Sequence, residues 1–279
     1  MYSDLHIHSW YSDGTLSPKK IIAKAKTKNM ELISICDHNL IDAYTKCNFI
    51  EMCAKNSIKA ITGVEIHTLM DFAEYHILAY GFDTQNEALN DLLEYNRGIL
   101  YDRGKSLIKS AEKDYPTISL EEFLRYERVR INGGWESIDY LKRKKIIKGV
   151  HDFFRLLRKY SPKADQDFLP PKKVIEIIHS AGGYAVVAHL GDNLKQNLSA
   201  CQRTAVQFLN AGIDGFECYY PSHTDRITEY LVELCYDLDL MITTGGDEHG
   251  GFNNFSGGCV YNIGVLKVDI DQLNLRELI

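Results

Sequence analysis

The chain has 279 residues, 45% hydrophobic, 25% charged and 11% aromatic, proportions that exclude disordered, collagen-like and coiled-coil classes. Lys and Arg total 32 against 38 Asp and Glu, a net charge of −6; this argues against coating long nucleic acid but leaves room for a local basic pocket. No run approaches the roughly 18 apolar residues of a membrane helix, and the first residues carry no basic-then-apolar leader. None of the seven cysteines forms a C-x-x-C pair, so a cytoplasmic protein with reduced thiols and no membrane partner is expected.

The chain opens with a strand-like piece ending in Asp4-Leu5-His6-Ile7-His8. Ser17-Pro18 then signals a helix start, with Ser as N-cap and Pro in the first turn. Glu31 to Cys36 is short, apolar and β-branched, as a buried strand would be. A helix from about Ile41 to Ala54 precedes a strand from Ile58 to Glu65, and Tyr75 to Tyr80 forms another. Between about Asn86 and Leu169 the strand rhythm fails, and charged helical segments suggest an insertion with local breaks at Gly133-Gly134 and Ser161-Pro162. The rhythm resumes with a helix over 171–180, a strand over 184–188, a helix over 200–210 and a strand over 213–217. A helix over 224–237 and a strand over 240–243 follow. Apolar strands alternating with helices predict a parallel α/β sheet or barrel, in three parts: 1–85, an 86–169 helical insertion and 170–279.

The histidines gather at strand ends. His6 and His8 close the first strand, and their spacing of two places both on one side. Asp37 and His38 follow the second strand, Glu65 ends the third and His76 lies within the next. His189 follows Val186-Val187-Ala188, and Asp247 and His249 follow Met241 to Thr244. In an α/β barrel the carboxyl ends of the strands converge on one face. With Asp13, these residues supply nine nitrogen and oxygen ligands, enough for two or three divalent ions. Manganese, iron and zinc all suit such a donor set.

At these positions the sequence resembles the polymerase and histidinol phosphatase (PHP) superfamily. Asp4-Leu5-His6-Ile7-His8-Ser9 with Ser12-Asp13-Gly14 is similar to its first motif, Cys36-Asp37-His38-Asn39 to its second, and Gly63-Val64-Glu65 to its third. His76, Ala188-His189 and Gly246-Asp247-Glu248-His249-Gly250 match the remaining positions. The resemblance implies a distorted (β/α)7 TIM-like barrel with a trinuclear metal centre. His6, His8, Glu65 and Asp247 would hold one ion, Glu65, His76 and His189 a second, and Asp13, His38 and His249 a third. Asp37 would orient a ligand imidazole. The chain departs from the family pattern at Asn39, usually Asp, and at Leu190, usually Pro. The insertion resembles the helical cap of a subgroup acting on nucleoside 3′,5′-bisphosphates and short RNA. That cap's Arg-Pro-His motif is missing, and Asn132-Gly133-Gly134-Trp135-Glu136 is its nearest equivalent.

Such a centre suits phosphate-ester hydrolysis, because metal coordination lowers the pKa of water and neutralises phosphate charge. His223 is expected as a phosphate contact or leaving-group acid. Arg97, Arg103, Arg128 and Arg130 are candidates to clamp a second phosphate, and Trp135 or Tyr126 to stack on a base. His67 is expected to pack or hydrogen-bond beside Glu65, and His151 and His179 to lie on helix surfaces. Lys142 to Lys145 read as a solvated face. The expected activity is a phosphoesterase acting on a nucleotide or short oligonucleotide. The alternatives are a small-metabolite phosphatase such as one for histidinol phosphate, a non-catalytic metal-binding regulatory domain, and C–N bond hydrolysis.

Overall fold

The computed structural model describes residues 1–160, 168–252, 255–256 and 259–278; the expected break at Ser161-Pro162 lies outside them. Strand β1 (Tyr2–Ile7) leads into α1 (Pro18–Thr27), where the Ser17 side chain accepts from Lys20 N–H, and then into β2 (Met30–Ile35). The expected helix over 41–54 is two short ones, α2 (Asp42–Thr45) and α3 (Phe49–Ala54), parted by Asn48 in the left-handed region at φ 51°. The expected strand over 58–65 also divides, into β3 (Lys59–Ala60) and β4 (Gly63–Met70). β5 (Ala73–Tyr80) pairs with β4 antiparallel.

Four helices follow: α4 (Glu87–Ala111), α5 (Leu120–Phe123), α6 (Glu136–Arg143) and α7 (Val150–Tyr160). α8 (Pro171–Ser180), β6 (Tyr184–Val187), α9 (Leu190–Asn193), α10 (Leu198–Ala211), β7 (Gly215–Tyr219), α11 (Asp225–Asp237) and β8 (Met241–Thr244) complete the alternation. A small antiparallel pair, β9 (Phe255–Ser256) and β10 (Cys259–Val260), comes last.

The main strands form two sheets, β1-β2-β3, all parallel, and β4-β5-β6-β7-β8. β6, β7 and β8 run parallel, whereas β5 is antiparallel to both its neighbours. The reason is local: β4 turns into β5 through Asp71 and Phe72 alone, both at positive φ, a two-residue hairpin too short for the crossover a parallel pair needs. The expected closed barrel is not present among the described residues. The two sheets are joined by the isolated bridges His38–Glu65 and Ile7–Glu248. Each bridge has one member just past a strand end, His38 after β2 and Glu248 after β8, beside candidate site residues.

Alternation along the strands builds two buried layers. Ile77 and Ala79 of β5 and Ala185 and Val187 of β6 face the helices, together with Phe208 and Phe216. Leu78, Tyr80 and Val186 face the other way and meet Leu5, Leu32 and Met241, so both sheets share one interior. α4 joins this body to a second core. Its first half buries Leu89, Leu92 and Leu93 against the sheets, and its second half packs Leu107 and Ile108 on Phe123, Ile138, Leu141 and Phe153. At 25 residues it is about 37 Å long. No helix among the described residues is long and apolar enough to cross a membrane. Phe208→Ala would leave a cavity in the fully buried helix-facing layer and is expected to cost about 3–5 kcal/mol, read as a lower urea midpoint with an unchanged slope.

Candidate metal centre

His6 and His8 point inward from the end of β1, and the following loop folds back on the strand, with Gly14 N–H donating to the Ser9 carbonyl at 3.0 Å. Gly14 is needed there, since a Cβ would stand 2.4 Å from the His8 carbonyl oxygen. That loop delivers Asp13. His38 follows β2, Glu65 lies on β4, and His76 on β5 is directly opposite His67. His189 and Asp247 begin the turns after β6 and β8 at φ 32° and 48°; such left-handed residues at strand ends re-aim side chains and cluster at functional sites.

All nine expected ligands come together in three groups: His6, His8, Glu65 and Asp247; Glu65, His76 and His189; and Asp13, His38 and His249 with His8 alongside. Glu65 is common to the first two. Its Oε1 lies 2.8 Å from both His76 Nδ1 and His189 Nε2. Its Oε2 lies 3.0 Å from His38 Nδ1, 3.2 Å from His8 Nε2 and 3.3 Å from His6 Nε2. Asp247 Oδ1 stands 3.1 Å from His8 Nε2, and Asp13 Oδ2 3.2 Å from His249 Nε2.

Hydrogen bonds fix the tautomers of three of these rings. His6 Nδ1–H donates to Glu217 Oε1 at 3.0 Å, His189 Nδ1–H to Asn193 Oδ1 at 3.2 Å, and His249 Nδ1–H to the Asp247 carbonyl at 2.9 Å. In a neutral ring each then turns its Nε2 lone pair toward a carboxylate oxygen, which is repulsive unless a cation sits between. His6 Nε2 and His8 Nε2 are also only 3.1 Å apart. Bonds of about 2.1 Å to a metal ion set neighbouring ligand atoms about 3.0–3.4 Å apart, close to the 2.8–3.3 Å separations found here. His8 Nδ1, His38 Nδ1 and Glu65 Oε2 are buried without a hydrogen-bond partner. The donor set therefore fits divalent ions.

Electrostatics give the same picture. Burial disfavours charge on Glu65, yet His38, His76 and His6 hold it well below the usual carboxylate range. Asp247 is likewise held down against burial by His6 and His249. Despite burial, Glu65 lifts His189 to about 9, and Asp13 with Asp247 lifts His249 to about 10. Burial pushes His38 down to about 3, more than Glu65 and Asp13 offset.

Several supporting residues were not singled out from the sequence. Glu217 on β7 is fully buried; besides holding His6, it accepts from His189 N–H at 2.9 Å. A carboxylate at the end of the strand over 213–217 is the signal that could have found it. Tyr220 donates to Asp247 Oδ2 at 2.7 Å, which nothing in its sequence neighbourhood announces. Asp4 accepts from Gly246 and Gly264 N–H at 2.9 and 2.8 Å, and Glu248 pairs with Lys24 at 3.0 Å. Both pin the turn bearing Asp247 and His249.

Other expectations are corrected. Asp37 orients no imidazole among the described residues. It accepts from Ser9 N–H and Oγ at 2.7 and 2.6 Å and from Ser12 Oγ at 2.5 Å, and so ties down the loop carrying Asp13. His223 accepts from Gly191 N–H at 3.0 Å through Nε2 and donates to the Cys218 carbonyl at 3.1 Å through Nδ1. Both nitrogens are committed to backbone, so the ring fastens two turns instead of meeting substrate. Arg103 is spent on an ion pair with Glu74 and lies 4.7 Å over the Phe168 ring. Arg128 donates to the carbonyls of Trp10, Tyr11, Ser12 and Gly134, clasping the first loop to the insertion. His151 and His179 lie exposed on helices as expected, His179 pairing with Asp214 at 2.7 Å, whereas Lys144 in the run expected to be a solvated face pairs with Glu122 at 2.6 Å. Arg97 and Arg130 line a cleft of about 800 Å³ that also contains His38, Tyr11, Tyr126 and Trp135. The Trp135 ring is 5.9 Å from that of His38, so the cleft opens on the cluster.

Fold and site together define an α/β protein assembled around a histidine–carboxylate cluster with an adjoining cleft. The chain belongs to the PHP domain family, which matches residues 4–218. It is 26% identical over 254 residues to a 5′-3′ exoribonuclease of Haemophilus influenzae, covering 88% of this chain and 89% of that protein. It is 26% identical over 253 residues to a 3′,5′-nucleoside bisphosphate phosphatase of Chromobacterium violaceum, covering 88% and 86%. A candidate metal-dependent phosphoesterase from Bifidobacterium adolescentis has the same fold, with a TM-score of 0.76 and 22% identity over 97% of this chain and 93% of that one.

Because His189 and His249 hold protons at pH 7 in the ion-free chain, metal uptake must release them. Calorimetric titration at pH 7 in two buffers of different ionisation enthalpy is expected to give different apparent heats; identical heats would contradict the assigned protonation.

Proposed function

We propose that the chain is a metal-dependent phosphoesterase hydrolysing a phosphate ester of a nucleotide or short oligonucleotide. The observation that carries this reading is the continuity between the cluster and a cleft lined by Arg97, Arg130, Tyr11, Tyr126 and Trp135 through His38. The names of the H. influenzae and C. violaceum relatives support the substrate class. The reading takes two or three divalent ions, manganese, iron or zinc, in a trinuclear arrangement. One would be held by His6, His8, Glu65 and Asp247, a second by Glu65, His76 and His189, and a third by Asp13, His38 and His249. Bound there, such ions lower the pKa of water and neutralise phosphate oxygens.

The protein's own residues supply positioning. Glu217 and Asn193 keep the His6 and His189 lone pairs turned toward Glu65. Tyr220 occupies one oxygen of Asp247 and leaves the other to His8. No carboxylate pairs with Arg97 or Arg130 among the described salt bridges, although the Arg130 guanidinium lies 5.1 Å over the Tyr11 ring. These two arginines are the groups left to bind a phosphate away from the cluster. Trp135, Tyr11 and Tyr126 offer faces for a base. In this reading residues 86–169 form a cap over an opened (β/α)7 barrel, in a cytoplasmic enzyme of small phosphorylated substrates with no long nucleic acid and no membrane among its partners.

Manganese-loaded protein is expected to release phosphate from a nucleoside 3′,5′-bisphosphate or a 5′-phosphorylated short RNA, and His8→Ala to abolish it. Arg97→Ala and Arg130→Ala are expected to raise KM about tenfold each, one lost charge-assisted hydrogen bond apiece, with a smaller change in kcat. Release from histidinol phosphate alone would move the activity to small metabolites, and silence on all three substrates would overturn the reading.

A further inference from the structure

One histidine beside the cluster, His67, takes the opposite tautomer from that set for His6, His189 and His249. His67 on β4 is buried, and its ring centroid lies 4.9 Å from that of His38 and 4.2 Å from that of His76. Ring nitrogens of these three residues fall within 4.8 Å of one another, so by proximity alone His67 could pass for another metal ligand. Its hydrogen bonds say otherwise.

His67 backbone N–H donates to Asn39 Oδ1 at 3.2 Å, and the Asn96 side-chain amide of α4 donates to the same oxygen at 2.9 Å. An atom that accepts from a backbone N–H must be oxygen, so the orientation of the Asn39 amide is settled. Its nitrogen, Nδ2, is then the atom 2.8 Å from His67 Nδ1. Asn39 Nδ2 can only donate, so His67 Nδ1 accepts. The ring's proton is therefore on Nε2, and an imidazolium would set Nδ1–H against the amide N–H. Asn96 also donates to the His67 carbonyl at 2.9 Å, so the amide cannot rotate without leaving buried groups unpaired. As neutral rings, His6, His189 and His249 would turn lone pairs into the cluster; His67 carries an N–H on the ring edge away from Asn39, and no described hydrogen bond gives it an acceptor.

Building on the phosphoesterase reading, we infer that His67 is an oxyanion donor and not a metal ligand, with its Nε2–H hydrogen-bonding a non-bridging phosphate oxygen of the ester seated beside His38 and His76. The ligand class is a phosphate or phosphate monoester. Asn39 is the positioning residue that sets the tautomer, and Asn96 extends that control to α4, the helix shared by the sheets and the second core.

The test uses the full chain loaded with zinc, and inorganic phosphate as the probe. Nitrogen NMR of histidine-labelled protein is expected to show His67 protonated at Nε2, a measurement that needs no variant. His67→Phe is expected to keep the full zinc content while its phosphate Kd rises about tenfold or more, the effect of one charge-assisted hydrogen bond. Asn39→Asp, which keeps the acceptor for Asn96 and the His67 N–H but turns Nδ1 into the donor, is expected to weaken phosphate similarly. His67→Gln, whose amide N–H reaches about as far as Nε2, is expected to recover part of the loss. An Nδ1–H tautomer in the wild type, loss of zinc from His67→Phe, or unchanged phosphate affinity in His67→Phe and Asn39→Asp would each overturn the inference. If zinc-loaded wild type binds no phosphate at all, the phosphoesterase reading falls with it, which separates the two failures.

Discussion

A carboxylate buried at the centre of the molecule must be balanced by charges and hydrogen bonds, because burying an ion alone is strongly unfavourable. Glu65 sets this constraint. It sits near the start of β4, 1% exposed, with five imidazole nitrogens within 3.3 Å of its two oxygens. Those imidazoles come from β1, the end of β2, β5 and the turn after β6. Among the described residues the two sheets share no continuous ladder, and the His38–Glu65 bridge is one of the places where they meet. The same residue that concentrates negative charge thus helps to close the fold.

The outer layer of interactions is more specialised than residue type suggests. Glu217, Asn193 and the Asp247 carbonyl each take an Nδ1 proton and leave a lone pair directed inward. Asn39 does the reverse to His67. Orientation of ring nitrogens by a second tier of partners is how a cluster assigns some histidines to cations and others to anions. A phosphate on a polynuclear centre needs both kinds of contact.

Side chains at both ends of the helical insertion's contact with this centre help to fasten it there. Arg128 gathers the carbonyls of the first loop, and Asn96 reaches Asn39 and His67. With Arg103 held by Glu74 and Phe168 and Arg128 near Glu136, Arg97 and Arg130 are the two candidate arginines lining the cleft that have no carboxylate partner among the described salt bridges. Residue type marked all four as phosphate binders; the three-dimensional inventory of acceptors sorted them.

The candidate metal-ligand cluster was legible because its residues occupy local positions that a strand pattern reveals. His6-Ile7-His8 has the spacing of one strand face, His38, His189, Asp247 and His249 follow apolar runs, and Glu65 and His76 lie on strands. The alternation of strands and helices was readable for the same reason, since burial imposes its period on sequence. What a side chain touches across the fold leaves no such local trace. The reversed β5 depended on a two-residue turn, and the splitting of one expected strand between two sheets depended on long-range pairing. Asp37, His223 and Arg128 have the right chemistry for a site, but hydrogen bonds with Ser9 and Ser12, with Gly191 and Cys218, and with the first loop commit them elsewhere. The sequence by itself determined which histidines and carboxylates stand where the strands converge, and roughly where the strands lie. Only the tertiary structure decided which donors meet which acceptors, because every buried polar group must find its partner and most of those partners are distant in the chain.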